Sequence, residues 1–546
     1  MTTHIGRASL AAAAIATSAA VALTGVAQTA AAAPAERRAP VVTGTLDGLK
    51  VGSYDSGFFD EGGAEIVAFS ARTDRAFVVN SGDGTVDVLD LSNVGDPTLV
   101  GQLQTPGANS VAVRGRLVAV AQQAENKVEP GSVAFFDALT LRKRREIGAG
   151  ALPDMVTFAS KGRYAVVANE GEPEGYCAGQ VDPAGSITVI DLKNGLRRAT
   201  VARAGFKRFE DRADALRARG VRIFGPGASV AQDMEPEYIA SRGNRAFVTL
   251  QENNAVAVVN LRSAQVVRIL PLGLKDHAAR GNGIDASDRD DAVNIRTWPV
   301  QGMYQPDAIA AFGVKRRGYV ITANEGDARE YECLLDDSGE EQAEDERIKD
   351  LALDPAVFGD PEQRAALQAD EAIGRLGVSV LTSPSGPDGY TELHALGARS
   401  VTIWTPRGEQ VWDSGNLLER KTADLDVFNA NNDEEGTFDS RSDNKGPEPE
   451  GVAVGRIAGR TFAFVGLERT SAVAVIDVSR PARPRFQSLL VDRDDSVPAD
   501  SDAAGDLGPE GIAFIPARQS PSGAPLLLVG NEVSGTTAVW SLAFSS

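Results

Sequence analysis

Histidine and cysteine are almost absent from this chain. Three histidines (His4, His277 and His394) and two cysteines (Cys177 and Cys333) serve 546 residues. That leaves little for a histidine-based zinc site or a histidine-dependent catalytic triad. Basic charge is also short: 55 Lys and Arg against 75 Asp and Glu give a formal net charge of −20. Duplex nucleic acid and anionic membrane surfaces are therefore poor partners, whereas cations and basic partners suit the surface. Past the N-terminal region no apolar run is long enough to span a bilayer, and the closing AVWSLAFSS carries no anchor. Serine and threonine abound, but none lies in a recognisable nucleophile turn.

The N-terminus reads as a secretory signal over residues 1–32. Arg7 gives a weakly positive start, Ala8–Ala27 is an Ala/Val/Leu run, and Ala30-Ala31-Ala32 offers a small-residue cleavage site. A membrane anchor is the alternative, but Ala, Ser and Thr make the run weakly hydrophobic. No arginine pair precedes it and no cysteine follows it, so neither a twin-arginine signal nor a lipoprotein is expected. Residues 33–43 read as a flexible leader, and 44–546 as a single domain exported to the extracellular side.

What the chain does have is a repeat. Short β-branched runs of four to seven residues, bounded by Gly, Asp or Asn, follow one another at roughly ten-residue spacing. The clearest unit is GPEPEGVAVGRIAGRTFAFVGLERTSAVAVIDVS, Gly446–Ser479: an acidic turn, then three strands. Seven such units follow Glu65, the last one strand short. They are interrupted by insertions over 204–232, 273–304 and 326–395, the first helix-like and the last acidic, and by an acidic loop over 429–445. The count predicts an all-β, seven-bladed β-propeller, with the lone strand Thr45–Ser53 pairing beside Thr537–Leu542 to close the ring. An open solenoid is the alternative, but closure protects bare strand edges.

Two acidic positions recur in register. One sits at or just before the first strand of a unit: Glu65, Asp154, Glu237, Asp307, Glu450 and Glu510. The other ends the second strand: Glu170, Glu252, Glu325, Glu468 and Glu532. Antiparallel neighbours bring these two positions to the same edge of a blade, so two concentric acidic rings are expected around one channel mouth. Two carboxylates about 4 Å apart repel by roughly 4 kcal/mol at an effective dielectric near 20. A cation, a basic side chain such as Arg329 or Arg469, backbone N–H groups or protonation must offset that. Oxygen-only ligands favour Ca²⁺, or Mg²⁺, over zinc; Asp327 joins the candidate ligand set. The alternative is that these acids only accept backbone hydrogen bonds at strand ends. The stretch Asp285-Ala-Ser-Asp288-Arg-Asp290-Asp291 is a weaker calcium candidate, since it lacks EF-hand spacing and the turn glycine.

Cys177 and Cys333 each follow shortly after a second-strand Asn-Glu, Glu170 and Glu325 respectively. Both loops therefore rise from one face, and in an exported protein a Cys177–Cys333 disulfide is expected, with free thiols the alternative.

Several longer stretches, among them LPLGLKDHAARGNGIDASDRDD, WPVQGMYQPDAIAAF, ITANEGDARE and FDSRSDNKGPEPEGVAVG, with the closing LGPEGIAF, resemble the choice-of-anchor I proteins. That family also includes mesenchyme-specific cell-surface glycoproteins linked to biomineralisation. The resemblance covers about residues 45–545 and implies an extracytoplasmic propeller. Some relatives carry an alkaline phosphatase label. Two functions follow as expectations. The first is a secreted surface or binding protein whose acidic channel mouth holds Ca²⁺ and whose partner is an extracellular protein or a small phosphorylated ligand. The second is a metal-dependent phosphatase or phytase-like phosphoesterase, in which clustered ions activate water and Arg329 or Lys445 holds phosphate.

Overall fold

The computed structural model describes residues 43–290, 292–335 and 341–545. The expected signal over 1–32, and the leader up to residue 42, lie outside the described residues. Described residues 43–545 fall within one compact unit. The architecture is all-β, and its backbone is a run of seven four-stranded antiparallel sheets. The first sheet consists of Val67–Ser70, Arg75–Asn80, Thr85–Asp90 and Thr98–Gln104. The next five begin at Ala108, Pro153, Ile239, Ile309 and Pro449.

The seventh sheet takes three strands from the end of the chain and its fourth from the beginning. Thr45–Asp55 pairs antiparallel with Thr536–Ser545, Thr45 opposite Ser545 and Asp55 opposite Thr536. The strand is two residues longer than its sequence pattern indicated. First strands lie beside one another in chain order, and Pro509–Ile515 of the seventh sheet lies beside Val67–Ser70 of the first.

Middle strands are buried on both faces, as in Tyr164–Asn169 and Leu526–Asn531. This is why they read as continuous apolar runs rather than as alternation. Apolar clusters fill the spaces between successive sheets: Val166, Val189, Val248 and Ala257 meet between the third and fourth, and Phe464, Val475, Leu527 and Trp540 between the sixth and seventh. Buried asparagines at second-strand ends tie the second strand to the third. Asn169 donates to Ser186 and Thr188, and Asn324 to Ser400 and Thr402.

The insertions differ from their sequence reading. Residues 204–232 carry short helical turns at Lys207–Arg212, Ala213–Arg217 and Val230–Asp233, as composition suggested. The 326–395 region is more than an acidic loop. With 273–304 it builds a five-stranded sheet from Leu274–Asp276, Gln301–Met303, His394–Ala395, Gly377–Ser379 and Asp345–Arg347. This sheet has its own core around Trp298, Ile348, Phe358, Ile373 and Leu376. Strands of two or three residues leave no period in a sequence. No helix among the described residues is long and apolar enough to cross a membrane.

Candidate metal centre

The recurring acids owe their placement to a repeated backbone irregularity. In the third, sixth and seventh sheets the register between first and second strands slips by one residue at the start. Pro153 faces Asn169 but Val156 faces Val167. Pro449 faces Leu467 but Val452 faces Val465. Pro509 faces Asn531 but Ile512 faces Val529. Asp154, Glu450 and Glu510 sit in these bulges, which re-aim the side chains away from the regular pleat. After Glu450 and Glu510 a glycine follows, and close approach requires it. A Cβ on Gly451 would collide with the Glu510 carbonyl oxygen, and one on Gly511 with that of Glu65. The sequence Pro-Glu-Gly is thus a packing device in which each glycine admits the acid-bearing backbone of the next sheet.

The second sheet carries the same bulge without the charge: Asn109 occupies it and donates to Gln123. In the first sheet Glu65 accepts from Ser81, which stands where other units have an acid. The acids share one neighbourhood. Burial, reinforced by Glu532, Glu65, Asp307 and Asp154, holds the Glu510 carboxyl well above the usual range. Burial and Glu172 and Glu252 push Asp154 up to about 7. Burial is also the leading cause for Glu65, pushed up to about 7, and for Glu170, Asp307 and Glu450, all well above the usual range. Glu532 is raised chiefly by burial. Tyr238, likewise raised by burial first, feels Glu510, Asp307, Asp154 and Glu450 together.

Two tight acid clusters stand out. In the first, carboxylate oxygens of Glu170, Glu237 and Glu252 lie within 4.8 Å of one another. They come from the second strand of the third sheet and the first two segments of the fourth. Glu237 and Glu252 are buried, and each keeps a buried Oε2 with no hydrogen-bond partner among the described residues. No basic side chain among the described residues forms an ion pair with any of the three. Burial, then Glu252 and Glu170, hold Glu237 well above its ordinary pKa; burial is also the leading cause for Glu252.

The second cluster joins Glu325, Glu448 and Glu468 within the same 4.8 Å, but it is already neutralised. Lys445 Nζ lies 2.6 Å from Glu325 and 3.4 Å from Glu448. Arg441 and Arg469 also pair with Glu448, at 2.9 and 3.2 Å, and Asn432 donates to Glu468. Burial opposes charge on Glu448, yet Lys445, Arg441 and Arg469 outweigh it and hold the carboxyl down at about 2. Glu468, mainly through burial and then Glu448, is pushed up to about 8. Cation chemistry fits the first cluster better than the second, because only the first lacks its own counter-charge.

Other expected residues take different places. Asp327 is exposed and stands outside both clusters. Arg329 is fully buried, and its guanidinium is spent on protein. Nε and Nη2 reach Glu235 at 3.0 and 2.9 Å, and Nη1 and Nη2 reach the carboxylate and carbonyl of Asp233, each at 2.8 Å. It stacks on Phe224 together with Arg222, which pairs with Glu344. The expected phosphate-holding role of Arg329 is therefore replaced by that of a buried ionic tie between insertions, and Lys445 is held between two glutamates. Within Asp285–Asp291, Asp288 is neutralised by Arg375 and Arg289, Asp285 is buried, and Asp291 lies outside the described residues.

Cys177 and Cys333 are joined in a disulfide with Cα atoms 5.1 Å apart. Tyr176 N–H donates to the Glu332 carbonyl beside it, and Tyr176 and Tyr331 meet edge to face. Tyr331 donates to Glu172, two residues from Glu170. The cross-link thus fastens two loops next to the first acid cluster.

Glu448 and Glu235 were not singled out by repeat counting, although a signal existed. Both belong to Glu-Pro-Glu, at 235–237 and 448–450. In each case the first glutamate is paired with arginine and the second is a recurring acid.

A mesenchyme-specific cell surface glycoprotein of Strongylocentrotus purpuratus is 29% identical over 334 residues, 54% of this chain and 42% of the relative. Gigasin-3a of Magallana gigas is 28% identical over 188 residues, 32% of this chain and 66% of the relative. The chain therefore spans less than two thirds of either curated relative. Among solved structures, the β-propeller domain of Cps50 (Swd1) from Myceliophteria thermophila aligns with a TM-score of 0.41 at 10% identity, covering 91% of this chain and 99% of that one. The family model of the choice-of-anchor I domain matches residues 65–481, and the chain belongs to the choice-of-anchor I family.

Proposed function

We propose that this protein is an extracellular surface or binding protein. On this reading its seven sheets are the blades of a closed propeller, and its acidic channel mouth binds Ca²⁺, or Mg²⁺ in its place. The observation that carries the cation reading is the Glu170–Glu237–Glu252 cluster. Three carboxylates from adjacent sheets converge with two buried, unpartnered oxygens, and none of the three forms an ion pair among the described residues, although Arg329 acts on Glu252 from a distance. A purely structural acid at a strand end would have its oxygens satisfied by backbone or side-chain donors. An all-oxygen anionic set matches a hard divalent ion, which restores charge balance and fills the open acceptors at once. The surface assignment is supported by the family and by the cell-surface relative, and the Cys177–Cys333 bond suits an oxidising compartment.

Phosphoester hydrolysis ranks second. Clustered ions could themselves hold phosphate and activate water, but Arg329 and Lys445, the cations expected to hold it beside them, are both engaged by carboxylates. Calorimetric titration of chelated protein with Ca²⁺ and with Mg²⁺ tests the first reading. Loss of one class of binding site in the Glu237→Gln, Glu252→Gln double variant supports it, and a double variant that binds both ions as the wild type does, or absence of heat with either ion, overturns it. Turnover of p-nitrophenyl phosphate, phytate or nucleotides that depends on added Ca²⁺ would reverse the ranking.

A further inference from the structure

Away from the recurring acids, three aspartates meet where two insertions touch. Asp285 and Asp290 come from the 273–304 insertion, and Asp439 from the 429–445 loop. One carboxylate oxygen of each lies within 4.8 Å of the others. Asp285 is fully buried and Asp439 is 3% exposed. Each uses one oxygen in a protein hydrogen bond: Asp285 Oδ2 accepts from Asn294 N–H, and Asp439 Oδ1 accepts from the Ser442 hydroxyl. The remaining oxygens, Asp285 Oδ1 and Asp439 Oδ2, are buried with no partner among the described residues. Buried acceptors are almost always satisfied, so two such oxygens in one triad point to an absent electrophile.

Neighbouring acids sharpen the contrast. Asp288 and Asp443 are both paired with Arg375, and Glu419 with Arg399. Arg375 and Arg399 are spent on those groups and on carbonyls, Arg441 pairs with Glu448, and the Arg296 guanidinium lies over the Trp298 ring. Arg399 donates to the Asp285 and Ser442 carbonyl oxygens and to Glu419, and not to the carboxylates of Asp285 or Asp439. Among the described residues Asp285, Asp290 and Asp439 form no ion pair. Asn429 stands close as well; it donates to Ser442, and its own side-chain oxygen is buried and unpartnered.

We infer that Asp285, Asp290 and Asp439 form a second divalent-cation site of Ca²⁺ type, which clamps the 273–304 insertion to the 429–445 loop. Three carboxylates supply the charge, and half-buried Asp290 leaves room for water to complete a coordination number of six to eight, the usual range for Ca²⁺. The loop clamped in this way runs on into Lys445 and Glu448, so an ion here would fix the segment that neutralises Glu325. The site is independent of the Glu170–Glu237–Glu252 cluster.

A tryptophan beside the site provides the assay. Trp298 is buried, and its indole N–H donates to the carbonyl of Ile284, the residue before Asp285, at 3.2 Å. Tb³⁺, a hard oxygen-seeking ion that substitutes for Ca²⁺, should therefore give tryptophan-sensitised emission in the full protein and be displaced by Ca²⁺. Asp285→Asn with Asp439→Asn should abolish that emission. Trp298→Phe should abolish emission while retaining the calorimetric binding. Glu237→Gln with Glu252→Gln should leave emission intact. Asp290→Asn, at a half-exposed position, should fold normally and weaken Tb³⁺ binding by roughly tenfold or more. Wild-type emission that is absent at saturating Tb³⁺, or undiminished in a folded Asp290→Asn or Asp285→Asn/Asp439→Asn protein, overturns the assignment.

Discussion

Replacing Glu237 with glutamine should stabilise the ion-free protein and remove the calcium response that belongs to the Glu170–Glu237–Glu252 cluster. Glu237 has an ordinary pKa of 4.5 and is held well above it by burial, Glu252 and Glu170. The folded state therefore keeps a proton that the unfolded chain releases. Stability from this group is complete below pH 4.5 and is lost as pH rises toward the folded value. The slope is about 1.4 kcal/mol per pH unit, so at pH 7 the cost reaches up to about 3 kcal/mol. Coulomb's law gives a matching scale. Two ionised carboxylates at the 4.8 Å limit of the cluster repel by about 3.5 kcal/mol at a dielectric near 20. Glutamine keeps the shape and carries no charge at any pH. For a unit of this size the unfolding entropy is about 1 kcal/mol/K, so the chelated variant should melt about 3 °C above the chelated wild type at pH 7. The gain should shrink to under about 1 °C at pH 5. With Ca²⁺ at about 100 times the Kd of this cluster the wild type should gain about 2.7 kcal/mol from it, and the variant should lose that share while keeping any gain from the Asp285–Asp290–Asp439 site. Differential scanning calorimetry at both pH values, with chelator and with Ca²⁺, measures all four states. A chelated variant that melts below wild type at pH 7, or one that keeps the full calcium shift, would refute the reasoning.

Reduction, or Cys333→Ser, should destabilise the protein by up to about 5 kcal/mol, the loop-closure value for a separation of 156 residues; denaturant unfolding with and without reductant reads it directly. Arg329→Leu should cost about 3–5 kcal/mol by leaving Asp233 and Glu235 buried without their cation, and unchanged denaturation would show that the network contributes nothing. His277 is buried and, chiefly for that reason and then because of Lys275, has its pKa lowered from 6.5 to about 3. Below pH 6.5 the unfolded chain binds a proton that the folded state refuses, so stability should fall by about 1.4 kcal/mol per pH unit between 6.5 and 3. Unfolding of His277→Gln across that range should show a slope shallower by this amount.

The repeat was legible because the middle strands are buried on both faces and appear in the sequence as compact apolar words, such as Tyr164–Asn169, separated by turns. The recurring acids were legible because they hold a fixed offset from those words. What the offset could not reveal was counter-charge. Nothing in the order of residues marks Glu448 as neutralised by Lys445, Arg441 and Arg469 while Glu237 stands alone; that depends on which loops fold back over which strand ends. Asp439 was invisible as a partner of Asp285 for the same reason, since 153 residues intervene, with the whole fifth sheet and four strands of the small five-stranded sheet among them. Arg329 misled in the opposite direction. It was expected either to offset clustered carboxylates or to hold phosphate, and burial against Asp233 and Glu235 gives it the first kind of role, with partners outside the recurring set.

The pairing of Thr45–Asp55 with Thr536–Ser545 also sets an order of events. Thr45–Asp55, the earliest of the described strands, has to wait, unpaired, until nearly all the rest of the described chain has emerged. Contacts this distant in sequence are slow to form. Earlier sheets can assemble as they appear, but the seventh cannot be completed until Ser545 is free. The first strand is therefore an edge that some other binder, a holding chaperone or another nascent copy, can occupy in the interval. Once closed, the same pairing acts as a latch: opening the seventh sheet means releasing both distant segments at once, so resistance to unfolding should be governed by that one seam.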